Sequence, residues 1–250
     1  MKSDAASLCE KLALAYHILA MEGQADFHLG HITAREPGTD TFWMKRSDQG
    51  MEEVTADSLL LLDLYGNVVG GVGPRHLEYP LHAQVYRRRA DVMAVTHTHP
   101  DHCVALGAGD EPLHPVSNHG VFFSPGVPTF KEFSDLVITR EQGEATAQAL
   151  GDARAVLLRN HGIIVAGASV EEACLGALLL EGAARVQLLA ENLPHYAWTS
   201  DEEAPIKRAH VFSDKIMRVM WEYECRKLHE DRETSSLRVP LDGIVLRREG

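Results

Sequence analysis

The sequence predicts an α/β fold organised as one domain. Helix-like and strand-like spacings alternate from end to end, no internal repeat is visible, and no linker rich in Pro, Gly or Ser divides the chain. A length of 250 residues is at the upper end of what one hydrophobic core organises. With 45% hydrophobic and 24% charged residues, the composition is that of an ordinary globular protein.

Taken in order, residues 3–22 have apolar positions at helical spacing. The lysine and leucines there resemble a signal peptide, but Asp4, Glu10 and Lys11 interrupt the apolar run. The segment therefore reads as an amphipathic helix, and the protein as cytoplasmic. Strands follow at 28–34 and 41–46 around a Pro37-Gly38 turn. Residues 59–64 and 68–69 flank Tyr65-Gly66-Asn67, a hairpin-like signal. A helix is expected over 78–89, then a short buried strand over 92–96, ended by Pro100, and a helix over 101–106. Residues 135–150 read as a helix, 155–158 and 163–165 as strands, and 170–191 as a long helix with an alanine-rich face. The last clear helix lies within 206–229. These elements give one domain over 1–229, followed by a charged tail over 230–250 with one apolar patch at 244–246.

The longest apolar runs, at 59–62 and around 175–180, are too short to span a bilayer. A net charge of −12 argues against nucleic acid or an anionic membrane as partner, and an anionic substrate would need a locally basic site. The four cysteines, Cys9, Cys103, Cys174 and Cys225, show no CxxC pairing and read as reduced, buried thiols.

The chemistry concentrates in Thr96-His97-Thr98-His99-Pro100-Asp101-His102. Alternate side chains of a strand share a face, so His97 and His99 project together as half of a first-row metal site. A third imidazole, His161, sits in Arg159-Asn160-His161-Gly162 at the end of another apolar strand. Three histidines leave a coordination position open for substrate, as a catalytic site requires. A His-x-His pair is also a common structural feature, and 14 histidines make some pairings inevitable, so spacing alone leaves both readings open.

Residues 75–109 together with Arg159-Asn160-His161-Gly162 resemble the class II aldolase/adducin family. A Glu, then His-x-His-Pro, then Asn-His-Gly occur in the family's order, within a likeness spanning about 8–225. The resemblance implies a three-layer αβα fold with a central mixed, largely antiparallel sheet. It implies a divalent metal (Zn, Mn, Fe or Co, its identity open) on His97, His99 and His161, and Glu78 as an acid/base that sometimes contacts the metal. It also implies a homo-oligomer, commonly a tetramer with sites at subunit interfaces.

The sugar-phosphate aldolases of the family carry Gly-Asn-x-Ser where this chain has Gly30-His31-Ile32-Thr33. They also carry a Ser-Ser pair where it has Arg75-His76-Leu77-Glu78. Leucine donates no hydrogen bond, whereas arginine pairs with carboxylates in a bidentate fork. The Arg-His-x-Glu variant resembles the branch that acts on hydroxylated aromatic carboxylates. The expected function is thus a metal-dependent carbon–carbon lyase that decarboxylates a small anionic substrate such as 3,4-dihydroxyphthalate in aromatic catabolism. Arg75, His76, His31 and His119 are the expected substrate-binding residues, with His102 a further candidate. Arg159 is a second possible carboxylate clamp or a structural partner at the strand end, and Arg87-Arg88-Arg89 a solvated face or subunit contact. The alternatives are an aldolase cleaving a hydroxy-carbonyl or sugar-phosphate substrate, a non-haem iron oxygenase of the same fold, and a non-catalytic adducin-like scaffold.

Overall fold

The computed structural model describes residues 4–236. Helix α1 (Asp4–Met21) leads into strands β1 (His31–Ala34) and β2 (Thr41–Met44). Two short 3-10 turns precede β3 (Leu60–Asp63) and β4 (Val68–Gly70), and then come α2 (Tyr79–Arg88), β5 (Ala94–Thr98) and α3 (Asp101–Ala108). The chain continues through α4 (Asn118–Val121), β6 (Thr129–Phe130), α5 (Arg140–Leu150), β7 (Ala155–Leu158) and β8 (Gly162–Gly167). It closes with α6 (Val170–Ala190), α7 (Ala204–Val211) and α8 (Asp214–Ser236).

All eight strands join one sheet in the order β4-β3-β2-β1-β5-β8-β7-β6. Every pairing is antiparallel except β6 with β7, so the sheet is mixed and largely antiparallel, as expected. The period of two along each strand sorts side chains into two cores. Ala155, Leu157, Ile163 and Val165 join α1, α3, α6 and α8 on one face. Val156, Leu158, Ile164 and Ala166 join α2 and α5 on the other. Helices on both faces of a single sheet make the three-layer αβα architecture.

Local signals explain the boundaries. Thr139 caps α5 by accepting from the Gln142 backbone N–H, while the Gln142 side chain accepts from the Thr139 backbone N–H, a reciprocal capping box. Ser169 caps α6, with Glu171 and Glu172 in its positively polarised first turn. The β3–β4 turn is held by Asp63 Oδ1, which accepts from the backbone N–H groups of Tyr65 and Asn67. Helices α2 and α5 cross closely at Gly143, where a Cβ would stand 2.6 Å from the Pro80 carbonyl oxygen.

Several expectations shift. The final helical region is two helices, and α8 runs to Ser236, so the tail expected from residue 230 begins as helix; the patch at 244–246 lies outside the described residues. Elements α4 and β6 went unanticipated because four and two residues are too few to show a period. No apolar run was expected to be long enough for a bilayer, yet Val170–Ala190 meets that criterion by length and mean hydropathy. Its 61% burial in the fold accounts for the apolar character. Arg89 is not simply solvated: it pairs with Asp91 and donates to the Gly151 and Ala153 carbonyls, tying α2 to the end of α5.

Candidate metal centre and active site

His97 lies on β5 and His99 just past its end, where the chain turns into α3 through Pro100. His161 reaches the same place from the β7–β8 turn. Asn160 takes a left-handed φ of 55°, which Asn tolerates well, and so reverses the chain tightly. Gly162 then lets the turn press against β5, since a Cβ there would meet the Thr98 carbonyl oxygen at 2.3 Å and His99 Cδ2 at 2.7 Å. The Asn-His-Gly sequence is therefore the geometry needed to bring His161 beside His97 and His99. Their rings sit with centroids 4.9–5.3 Å apart.

Hydrogen bonds determine where the ring protons are. His97 Nδ1 lies 2.8 Å from the Ile163 carbonyl oxygen, which only accepts, so Nδ1 carries the hydrogen. His99 Nδ1 lies 3.1 Å from Asp26 Oδ2 and likewise donates. In the neutral rings both Nε2 atoms then hold lone pairs, and these face each other at 3.1 Å. Two facing lone pairs repel unless a cation lies between them. His161 Nε2 is buried without a hydrogen-bond partner.

Glu78 ends the loop before α2 and points into the same space. Its Oε1 is 3.5 Å from His161 Nε2, and its Oε2 is 3.6 Å from His97 Nε2 and 3.9 Å from His31 Nε2. The Val137 backbone N–H donates to Oε1 at 2.9 Å and fixes the carboxylate. Burial pushes Glu78 up, but the imidazoles of His97 and His31 beside it outweigh that, holding the carboxyl well below the usual range. Burial, reinforced by His97, lowers both His99 and His161 to about 4, so both are neutral and basic at physiological pH. Three of the donor separations, His97 to His99, His97 to Glu78 and His161 to Glu78, are 3.1–3.6 Å, near the roughly 3.4 Å edge of a tetrahedron built on bonds of about 2.1 Å. Glu78, His97, His99 and His161 thus form a set that could hold a divalent metal ion.

The expected substrate residues divide. His31 pairs directly with His97 across β1 and β5, and His76 packs edge-on against it at 4.1 Å. His76 Nδ1 accepts from the Glu78 backbone N–H at 3.3 Å, which leaves its hydrogen on Nε2. Burial, then the nearby Lys45 charge, lowers His76 to about 3. Arg75 is half-buried, stacks on the Tyr79 ring at 4.2 Å, and has no carboxylate in ion-pair range among the described residues. His119 does not join this group: it packs on α6, where a Cβ at Gly182 would meet its Nδ1 at 2.3 Å. His102 is bonded to Glu181 of α6 at 2.6 Å, and Arg159 to Asp110 at 2.7 Å, so these side chains hold other parts of the fold together.

Sequence reasoning missed three contributors. Asp26 lies in an irregular loop and Val137 acts through its backbone, so neither had a pattern to betray it. His82 did have a signal, since Glu78, His82 and Tyr86 recur at the four-residue spacing of one helix face.

Comparison with known proteins bears on this arrangement. The family profile described as Class II Aldolase and Adducin N-terminal domain matches residues 10–188. A 3,4-dihydroxyphthalate decarboxylase of Arthrobacter keyseri is 34% identical over 194 residues, covering 72% of this chain and 77% of its own. Among solved structures, an aldolase II superfamily protein from Pseudomonas syringae superposes with a TM-score of 0.81 at 26% identity, over 92% of this chain and 95% of its own. The L-fuculose 1-phosphate aldolase of Glaciozyma antarctica PI12 shares the fold with a TM-score of 0.80 at 22% identity, over 94% of both chains.

Proposed function

The chain belongs to the class II aldolase and adducin family, and from that premise we propose that it is a metal-dependent carboxy-lyase acting on a hydroxylated aromatic carboxylic or dicarboxylic acid. The observation that carries the metal is the pair of facing Nε2 lone pairs on His97 and His99, both fixed by acceptors behind them. The aromatic acid is supported by Arg75, His76 and His31 standing where hydroxyl donors would suit a phosphate, and by the likeness to a 3,4-dihydroxyphthalate decarboxylase.

His97, His99 and His161 would hold the ion, with Glu78 beside it. When bound, a divalent cation supplies positive charge that orients a ring oxygen and a neighbouring carboxylate oxygen and stabilises charge building on them. Glu78 is ionised and so begins as a base: it takes the proton of the ring hydroxyl. It then returns that proton to the ring carbon bearing the carboxylate. The bond to the carboxylate breaks, its electron pair restores the aromatic ring, and carbon dioxide leaves, so protons and electrons balance without an oxidant. Burial of Glu78, His31 and His76 keeps bulk water from quenching the dearomatised ring. Arg75, free of acidic partners among the described residues, would pair with a second carboxylate.

The same reading includes a homo-oligomer, tetrameric by family resemblance. Phe27 (88% exposed), Leu77, Leu136 and Ile138 flank the site in sequence and offer apolar surface for a second copy, which light scattering would detect. The function is tested by loading the protein with zinc, manganese, iron or cobalt and measuring carbon dioxide released from 3,4-dihydroxyphthalate and other ortho-hydroxy aromatic acids. Release with at least one metal is expected. Efficient cleavage of a phosphorylated ketose without any carbon dioxide release would instead make the protein an aldolase.

A further inference from the structure

Glu78, His82 and Tyr86 lie about 6 Å apart along one side of α2. Opposite them on β1, His31 and Thr33 share one face of the strand with a spacing of about 6.6 Å. The two repeats nearly match, so helix and strand stay in step and their side chains meet in turn. Thr33 Oγ1 lies 2.8 Å from both the Tyr86 hydroxyl and His82 Nδ1. His82 Nε2 lies 2.7 Å from His31 Nδ1. All four side chains are fully buried. Together they form a hydrogen-bonded column that ends at the metal site.

Such a column could run in either direction, and only one uses every hydrogen. If His31 donated toward Tyr86, the Tyr86 hydroxyl hydrogen would have no acceptor among the described residues. The His31 Nε2 lone pair would also face the Glu78 carboxylate at 3.9 Å. Both are costly in a buried setting. In the opposite direction Tyr86 donates to Thr33, Thr33 donates to His82 Nδ1, and His82 Nε2–H donates to His31 Nδ1. His31 then carries its own hydrogen on Nε2. That N–H is buried, has no acceptor within hydrogen-bond distance among the described residues (Glu78 Oε2 stands off at 3.9 Å), and sits beside His97.

We propose that His82, Thr33 and Tyr86 are positioning residues that lock His31 in its Nε2–H form and so aim a buried hydrogen-bond donor at an oxygen of the bound substrate. The donor role rests on the reading of the site given above, whereas the direction of the column does not. A buried donor without a protein acceptor is a standing demand for one from a ligand.

Histidine-selective ¹⁵N spectra of the zinc-loaded protein test the column, with the His31 signals assigned by their loss in His31→Gln. His31 should be the Nε2–H tautomer in the wild type and in Thr33→Ser. In Thr33→Val, which keeps the shape but removes the hydroxyl, it should become mixed or Nδ1–H. Salicylate, used as an inert ortho-hydroxy acid probe, should bind about tenfold more weakly to Thr33→Val by calorimetry and recover in Thr33→Ser, at unchanged zinc content. A wild-type His31 protonated at Nδ1 overturns the proposal, as does a Thr33→Val protein with wild-type tautomer and affinity. A tautomer change without any loss of salicylate affinity overturns the donor role. If the tautomer is as stated but no aromatic acid releases carbon dioxide, the lyase reading fails and the column stands.

Discussion

On strand β1, Ile32 and Ala34 enter the core beneath α1 and α6, whereas His31 and Thr33 enter the layer beneath α2, and all four are fully buried. The neighbouring strand β5 repeats the contrast. Thr96 donates a single hydrogen bond to the Ala173 carbonyl of α6, while His97 faces Glu78 and the other imidazoles. One face of the sheet is thus mainly apolar, with isolated polar groups such as Thr96 bonded to nearby backbone. The other holds a buried polar layer whose nitrogen atoms at His31 and His161 are left unmatched. Burying polar groups costs free energy unless they are hydrogen-bonded. A fold that gathers its buried imidazoles on one face and keeps the other mainly apolar separates stability from chemistry across a single layer of strands.

That contrast can be broken or sharpened by substitution. The largest effect is expected from the double variant His97→Ala, His99→Ala, which should lose the metal, about one ion per chain, and all turnover above background, as elemental analysis and a carbon dioxide assay would show. Full metal occupancy in that variant would end the assignment. Glu78→Gln should keep most of the metal while turnover falls about 10²- to 10⁴-fold; loss of metal as well would make Glu78 a ligand first and an acid/base second. Asp26→Asn removes only the charge that orients His99, and should weaken metal affinity about 10- to 100-fold in a chelator competition.

Acid gives a graded version of the same test. His76, His99 and His161 have folded-state values near 3–4, below their ordinary 6.5, because burial disfavours their charged forms. The unfolded chain therefore binds protons that the folded one refuses in this interval. The stability they contribute is complete above pH 6.5 and is lost as pH falls toward 4, each group steepening the slope by up to about 1.4 kcal/mol per pH unit. Thermal melting of the metal-free protein should show this decline, and a flat Tm between pH 6.5 and 4.5 would contradict it. The smallest effect belongs to the opposite face: Thr96→Val should cost about 1 kcal/mol of stability and leave metal content unchanged. A Thr96→Val protein that lost its metal would show that the two faces are not separable.

Much of the site was legible because its parts are local. His-x-His on a strand and Asn-His-Gly at a turn mark three imidazoles, which the family resemblance joined into one set, and the α/β alternation placed the strands that carry them. What stayed hidden depends on which elements become neighbours. Asp26 reaches His99 across 73 positions of sequence, and Val137 reaches Glu78 across 59. His119 lies apart from the cluster for the complementary reason. Its Asn-His-Gly segment forms a short helix against α6, a placement that the local sequence does not reveal. Alternation in 31–34 suggested nothing about His82, because a strand does not announce which helix will cover its polar face.

The strand order has a further consequence for how the protein comes into being. Strand β5 lies between β1 and β8, so His97 enters the sheet, with His99 just beyond its end, flanked by one segment made early and another made much later. His161 and the Ile163 carbonyl that orients His97 both come from that later segment. A nascent chain that has emerged only as far as β7 therefore lacks His161 and has no fixed tautomer at His97. Closing these long loops is slow relative to forming the helices, and the reward for closing them arrives all at once. Tight capture of a divalent ion by this cluster would accordingly be a late event in biogenesis, and an ion held firmly would certify that the central strands have found their order.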